Sequence, residues 1–271
     1  MIQSMKTILR DLVDSTNRLL GRRDKTMPPR SLIRVSPNDT FDQAGQDWRK
    51  QLVEIGGLVP SDAVLEVGCG SGRVGRTLID FFEEGGSYDG FDIREDEIRW
   101  LSKNITSDHS NIRFHYVDLY NKYYKPDGKI DPAEFVFPFE DSNFDMVYLT
   151  SIFTHLMPDD VNRYLAEIRR VLKPGGKCFI SYFLINERSL GRIQEGNSSR
   201  KFAIEVVPHC FTDNEEVPED ATGYDETYIL ELYEKYGFTI DLEIHYGRWS
   251  FDKQFNATVD YQDIIVASKP Q

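Results

Sequence analysis

In Val64-Leu65-Glu66-Val67-Gly68-Cys69-Gly70-Ser71-Gly72, an apolar strand pattern runs into a turn with glycine at every second position, and a helical pattern follows over Arg73–Phe82. Glycines let the backbone turn sharply and approach a ligand without a Cβ in the way. A helix start behind such a turn favours negative ligand groups. Gly70, Gly72 and Gly75 also match the G-x-G-x-x-G spacing of dinucleotide sites, a weak signal alone. Glu66 argues against that use, because a carboxylate at the strand end faces a diphosphate unfavourably and suits a cationic ligand.

Outward from this turn, strand and helix patterns alternate. Strands are predicted at Ala63–Val67, Tyr88–Phe91, Ile112–Val117, Phe144–Leu149, Lys177–Phe183, Phe238–Ile244 and Tyr261–Ala267. Helices are predicted at Asp96–Ile105, Asp159–Leu172 and Glu226–Tyr236, with Pro174-Gly175-Gly176 stopping the second. A further helix starts near Thr40, where Thr40 and Gln43 have capping-box spacing, and runs to Ile55. The alternation implies an α/β fold with a mostly parallel sheet covered on both faces. Ligands of such sheets bind beyond the carboxyl ends of the strands. Two long segments, at about 119–143 and 186–224, leave those ends and are placed to act as lids or acceptor walls.

Composition bounds the function. The net charge of −13 repels phosphate backbones, so no nucleic-acid partner is expected. Three well-separated cysteines, Cys69, Cys178 and Cys210, suggest neither a disulfide set nor a metal site. With no apolar run near the ~20 residues of a membrane helix and no leader pattern, a cytoplasmic location is expected. The first 25 residues are locally basic, with Ile2, Met5, Leu9, Leu12, Thr16, Leu19 and Leu20 near one helical face. They predict a helix docked on the domain or on a second subunit, or a weak membrane-surface or partner helix. Asp127-Gly128-Lys129-Ile130-Asp131 resembles part of an EF-hand loop, but Tyr123 and Lys125 stand where carboxylate ligands are needed, so no calcium is expected.

The motif series resembles the class I S-adenosylmethionine (SAM)-dependent methyltransferases. Glu66 stands two residues before Gly68-x-Gly70-x-Gly72, Asp92 ends the second strand in Gly90-Phe91-Asp92-Ile93, and Asp118 follows the third in Tyr116-Val117-Asp118-Leu119. Phe144–Leu149 and Arg170–Gly176 resemble the family's fourth-strand motif and its turn into strand five. The resemblance covers about 60–185. It implies a Rossmann-like, doubly wound, seven-stranded mixed sheet with the last strand antiparallel. Residues 1–58 would be an N-terminal helical extension and cap, and 59–271 the methyltransferase domain. It implies SAM as cofactor, held by Glu66, the three glycines, Asp92 at the ribose, Asp118 at the adenine, and Ile93, Leu119 and Thr150.

The acceptor is less legible. Leu149-Thr150-Ser151-Ile152-Phe153 lacks the Asp/Asn-Pro-Pro-aromatic pattern of base-amine methyltransferases, and no Pro-Cys nucleophile is present. A small-molecule or glycan hydroxyl is the favoured acceptor. Its proton needs a base, for which His155, just past strand four, and His209 are the candidates. Tyr182, Tyr224, Arg248 and Trp249 are candidate acceptor-wall residues. The rival assignments are an NAD-dependent oxidoreductase, a non-catalytic SAM-binding partner protein, and a methyltransferase acting on RNA or protein.

Overall fold

β1 (Ala63–Val67) lies inside a seven-stranded sheet and ends at the glycine turn. The computed structural model describes residues 11–18, 20–33, 40–240, 243–250 and 261–271. β1 pairs in parallel with β2 (Ser87–Asp92) on one side and β4 (Phe144–Leu149) on the other. β2 carries β3 (Ile112–Tyr116), and β4 carries β5 (Leu172–Tyr182), both in parallel. Beyond β5 lies β11 (Asp263–Ser268), antiparallel to it, and β10 (Thr239–Ile240) pairs antiparallel to β11 at the sheet edge. The register sets Val67 beside Phe91 and Asp92 beside Tyr116, so the carboxyl ends of β1 and β2 share one sheet edge. This is the α/β arrangement that the motif order implied.

The two faces bury different side chains because alternate residues of each strand point oppositely. Leu65, Val67, Phe91, Val147 and Leu149 pack with Val161, Leu165 and Ile168 of α4 (Pro158–Val171). Val64, Tyr88, Met146 and Tyr148 pack with Trp48 and Leu52 of α2 (Phe41–Glu54) and Leu101 of α3 (Glu95–Leu101). Glu66 points to this second face with the two tyrosines.

Several elements differ from the sequence pattern. Over Arg73–Phe82 the regular structure is a 3₁₀ turn at Gly75–Leu78. Thr77 Oγ1 donates to the Val74 carbonyl at 2.7 Å, a local bond that competes with the α ladder, and Gly75 lowers helix propensity further. Thr40 is the N-cap of α2 without a side-chain cap bond, and Gln43 Nε2 donates to Asp47 instead. Helix α4 does end before Pro174, but Pro174-Gly175-Gly176 belongs to β5, where Gly175 has φ +81° and the register with β4 slips. The strand expected over Phe238–Ile244 is short; residues 241–242 lie outside the described ones, and His245 makes an isolated bridge to Ile264.

The 186–224 segment is not a bare loop. With β6 (Leu184–Ile185) before it, α5 (Glu187–Gln194) is followed by β7 (Ile204–Val207), β8 (Cys210–Thr212) and β9 (Thr222–Asp225), and the four strands form a second sheet in the order β6-β9-β8-β7. α6 (Glu226–Lys235) then returns the chain to the main sheet. In the 119–143 segment, Phe135 and Phe137 are buried against Phe91.

At the N-terminus, residues 11–18 are helical and form α1. Arg18 donates to Asn104 and stacks on Trp100, so this part docks beside α3, while Leu12 and Val13 are exposed. Ile2, Met5, Leu9 and Leu19 of the predicted apolar face lie outside the described residues. Among the described residues no helix is long and apolar enough to cross a membrane.

Candidate active site

The glycine turn is built for close approach. Gly68, Gly70 and Gly72 have φ of +76°, +50° and +79°, a backbone region that side-chain-bearing residues rarely adopt. A Cβ on Gly68 would sit 2.1 Å from Ile152 Cδ1, and one on Gly72 would sit 2.6 Å from Leu101 Cδ2. Gly75 serves packing: a Cβ there would meet the Tyr88 ring at 2.5 Å. The apparent dinucleotide spacing therefore arises from a helix-side packing glycine next to a different turn.

Around the turn stands a set of carboxylates. Glu66 is buried, and its Oε2 accepts from Tyr88 Oη at 2.5 Å and from Tyr148 Oη at 2.7 Å. Burial pushes its pKa up to about 7. Asp92 Oδ2 accepts from Gly70 N at 2.7 Å and Oδ1 from Arg94 N at 2.9 Å, which fixes both oxygens. Desolvation raises the Asp92 pKa as well. Glu97, on the first turn of α3, brings Oε2 to within 3.5 Å of where a Gly70 Cβ would be. Three acids lining one turn would repel a pyrophosphate and attract a cation, and a carboxylate at Asp92 can accept from a ribose diol.

These residues line a cavity of about 600 Å³. Glu66, Gly68, Gly70, Asp92, Ile93 and Leu119 are brought together there, and Thr150 and His155 line the same cavity. The bare backbone of the turn, the buried carboxylates and the apolar Ile93 and Leu119 fit a positively charged adenosyl compound. Gly72 shapes the turn without lining the cavity.

His155 ends a 3₁₀ turn at Phe153–His155, directly after β4. Its Nδ1 lies 2.8 Å from the Glu219 carbonyl oxygen, so Nδ1 carries the proton and donates, and the neutral ring keeps its lone pair on Nε2. Burial lowers its pKa, which maintains the neutral form. The Tyr124 ring meets it edge-on at 5.7 Å. Beside it, Ser151 has φ +60° and is held by Ser181 and Gln262, an uncommon conformation of the kind found at functional sites.

Other sequence candidates lie elsewhere. Asp118 is outside the cavity lining; it accepts from Tyr116 Oη and pairs with Lys125 and Lys129. His209 is exposed and stacks on Tyr228. Tyr182 is fully buried and bonded to Tyr233 Oη, and Tyr224 Oη donates to the Leu156 carbonyl. Trp249 is fully buried with Nε1 donating to Asp263, while Arg248 is exposed and away from the cavity. For Tyr182 and Tyr224, which lie in β5 and β9, strand alternation sends the side chain to the packed face. The cavity instead recruits Arg73, Tyr124, Arg200, Glu219, Tyr261 and Gln262. No local signature marks them; Tyr124, Arg200 and Glu219 reach the cavity through the two long segments.

Residues 64–176 match a family model described as a methyltransferase domain. The chain is 30% identical over 149 residues to a sterol 24-C-methyltransferase of Gibberella zeae, covering 53% of this chain and 33% of that protein. It is 25% identical over 136 residues to a demethylmenaquinone methyltransferase of Tropheryma whipplei, covering 50% and 48%. The chain thus spans a third to a half of the length of these curated relatives. Among solved structures, a SAM-dependent methyltransferase of Methanosarcina mazei shares the fold at a TM-score of 0.53 and 21% identity, covering 80% of this chain and 97% of that one. Residues 64–176 therefore match a methyltransferase domain, and the chain shares the fold of SAM-dependent methyltransferases.

Proposed function

We propose that the protein methylates a hydroxyl oxygen of a small-molecule or glycan acceptor, with His155 as general base. The observation that carries this reading is the fixed tautomer of His155: Nδ1 is committed to the Glu219 carbonyl, and the basic Nε2 belongs to a ring that lines the cavity. SAM, when bound, supplies a methyl group already activated on a sulfonium sulfur. The protein's work is then alignment, exclusion of water and removal of one proton. Glu66, Asp92 and the glycine backbone would hold the cationic nucleoside. The 119–143 and 186–224 segments wall the acceptor side with Tyr123, Tyr124, Arg200 and Glu219. The acceptor hydroxyl would give its proton to His155 Nε2 as oxygen attacks. The curated relatives bear on this only by name, and one of those names specifies carbon as its acceptor atom.

The test is turnover of phenolic and sugar acceptors, following S-adenosylhomocysteine and the methylated product. Methyl ethers are expected, and products methylated on carbon would overturn the hydroxyl assignment. His155→Gln should lower kcat by about 10²–10⁴-fold with SAM affinity unchanged. A variant of undiminished kcat rules out His155 as base. Absence of calorimetric heat with SAM would reject the cofactor assignment itself.

A further inference from the structure

The cavity is lined by a cation with unused hydrogen-bonding capacity. Arg200 comes from the stretch between α5 and β7 and lines the cavity with His155, Phe183, Tyr261 and Gln262. Its side chain is one-third exposed. Among the described residues its single charged contact is Asp213 Oδ2 at 3.8 Å, longer than a hydrogen bond. Asp213 is already engaged, since its Oδ1 accepts from the backbone N–H groups of Phe202 at 2.6 Å and Lys201 at 3.1 Å. Asp213 thus shapes the loop with its backbone bonds and leaves the guanidinium fork unspent. A guanidinium presents five N–H donors in a plane that matches a carboxylate or phosphate.

Its neighbours support a recognition role. Arg200 is close enough to His155 for its charge to oppose protonation of the imidazole, after the larger effect of burial. The other cavity arginines are differently employed. Arg94 lies over the Tyr124 ring and 3.8 Å from Glu97, and Arg73 interacts with Glu66 at the cofactor end. Tyr261, which lines the cavity beside Arg200, gives an aromatic face, and its hydroxyl is held by Ser199 Oγ at 2.9 Å. Arg200 also lies on the inserted segment, which supplies the acceptor wall and not the shared motif region of residues 64–176.

We propose that Arg200 determines acceptor specificity by binding an anionic group, a carboxylate or phosphate, on the hydroxyl compound, which sets that hydroxyl near His155. This rests on the function proposed above. A neutral analogue would leave the buried part of the fork without a partner and would bind more weakly.

The experiment uses the full chain saturated with S-adenosylhomocysteine and two probe pairs matched in shape. These are 4-hydroxybenzoate against its methyl ester, and glucuronate against glucose, with 4-hydroxybenzylamine as a cationic control. Titration calorimetry should show the acid of at least one pair binding about tenfold or more tightly than its neutral partner, the increment of a charge-assisted bidentate contact. Arg200→Gln should erase that preference while S-adenosylhomocysteine affinity stays unchanged, and Arg200→Lys should restore part of it. Phosphate esters of the same two scaffolds distinguish a carboxylate from a phosphate preference. Equal binding of acid and neutral forms, tightest binding of the amine, no binding of any acid, or a preference that survives Arg200→Gln would each overturn the proposal. Failure to bind S-adenosylhomocysteine would instead sink the cofactor reading, and acid binding without methyl transfer would sink only the hydroxyl-transfer reading.

Discussion

Burial of Glu66 makes the fold sensitive to pH, and in the proposed site its carboxylate would face a cationic ligand. Its carboxyl is buried between two tyrosine hydroxyls, and its pKa is raised from an ordinary 4.5 to about 7. A sulfonium ligand favours the ionised form, so binding should release a proton. With a pKa near 7, roughly one-tenth of the sites are ionised at pH 6 and nine-tenths at pH 8. SAM affinity should therefore rise up to about tenfold across that window, and Glu66→Gln should flatten the profile in calorimetry. For the protein without SAM the sign is opposite. The folded state prefers the protonated acid, so this contribution to stability is full below about 4.5 and is lost as pH rises through about 7. Asp263, also pushed up to about 7 by burial, adds to the same slope. Asp92→Ala should weaken SAM binding by about 10–100-fold, because it removes hydrogen bonds to a charged acceptor and frees the Gly70 amide. Unchanged affinity would reject the ribose assignment.

At the scale of elements, glycines divide into those that shape the turn and those that allow packing. Gly75→Ala would press a methyl onto the buried Tyr88 ring, 2.5 Å away, and disturb the hydroxyl that holds Glu66. A loss of about 1–3 kcal/mol is expected in urea denaturation, together with weaker SAM binding. Gly191, inside α5, is the control: a Cβ there has nothing within 4 Å and the residue has no positive φ. Gly191→Ala should stabilise the protein by about 0.5–1 kcal/mol. Reversed signs for this pair would show that the packing around Tyr88 is wrongly understood.

On the scale of the whole molecule, Arg76 ties the N-terminal segments to the region of the glycine turn. It is buried in the 3₁₀ turn after the glycines and donates to Asp24 at 2.7 Å, to Thr26 Oγ1 at 3.3 Å and to Asp42. Asp24 and Asp42 are themselves half exposed, so removing the arginine leaves no fully buried charge behind. Arg76→Ala should cost about 1–2 kcal/mol, less than the rupture of a wholly buried pair, and should speed limited proteolysis around residues 24–40. Unaltered proteolysis would show that this clamp does not hold the extension in place.

While the antiparallel last strand came from the family resemblance, the order of residues alone determined the mostly parallel sheet and the glycine turn with Glu66 and Asp92 beside it. Those features are written locally: strand period, glycine spacing and an acid at the end of a strand each follow from backbone geometry within a few residues. The acceptor end was not local. His155 could be suspected from its place after β4, but its tautomer is set by a carbonyl 64 residues away. Arg200 and Glu219 reach the cavity only because the 186–224 segment folds into its own sheet, while Tyr182, Tyr224 and Trp249 turn into the core. Which face a side chain takes depends on register between distant strands, and burial is shared among all of them, so only the tertiary structure decided it.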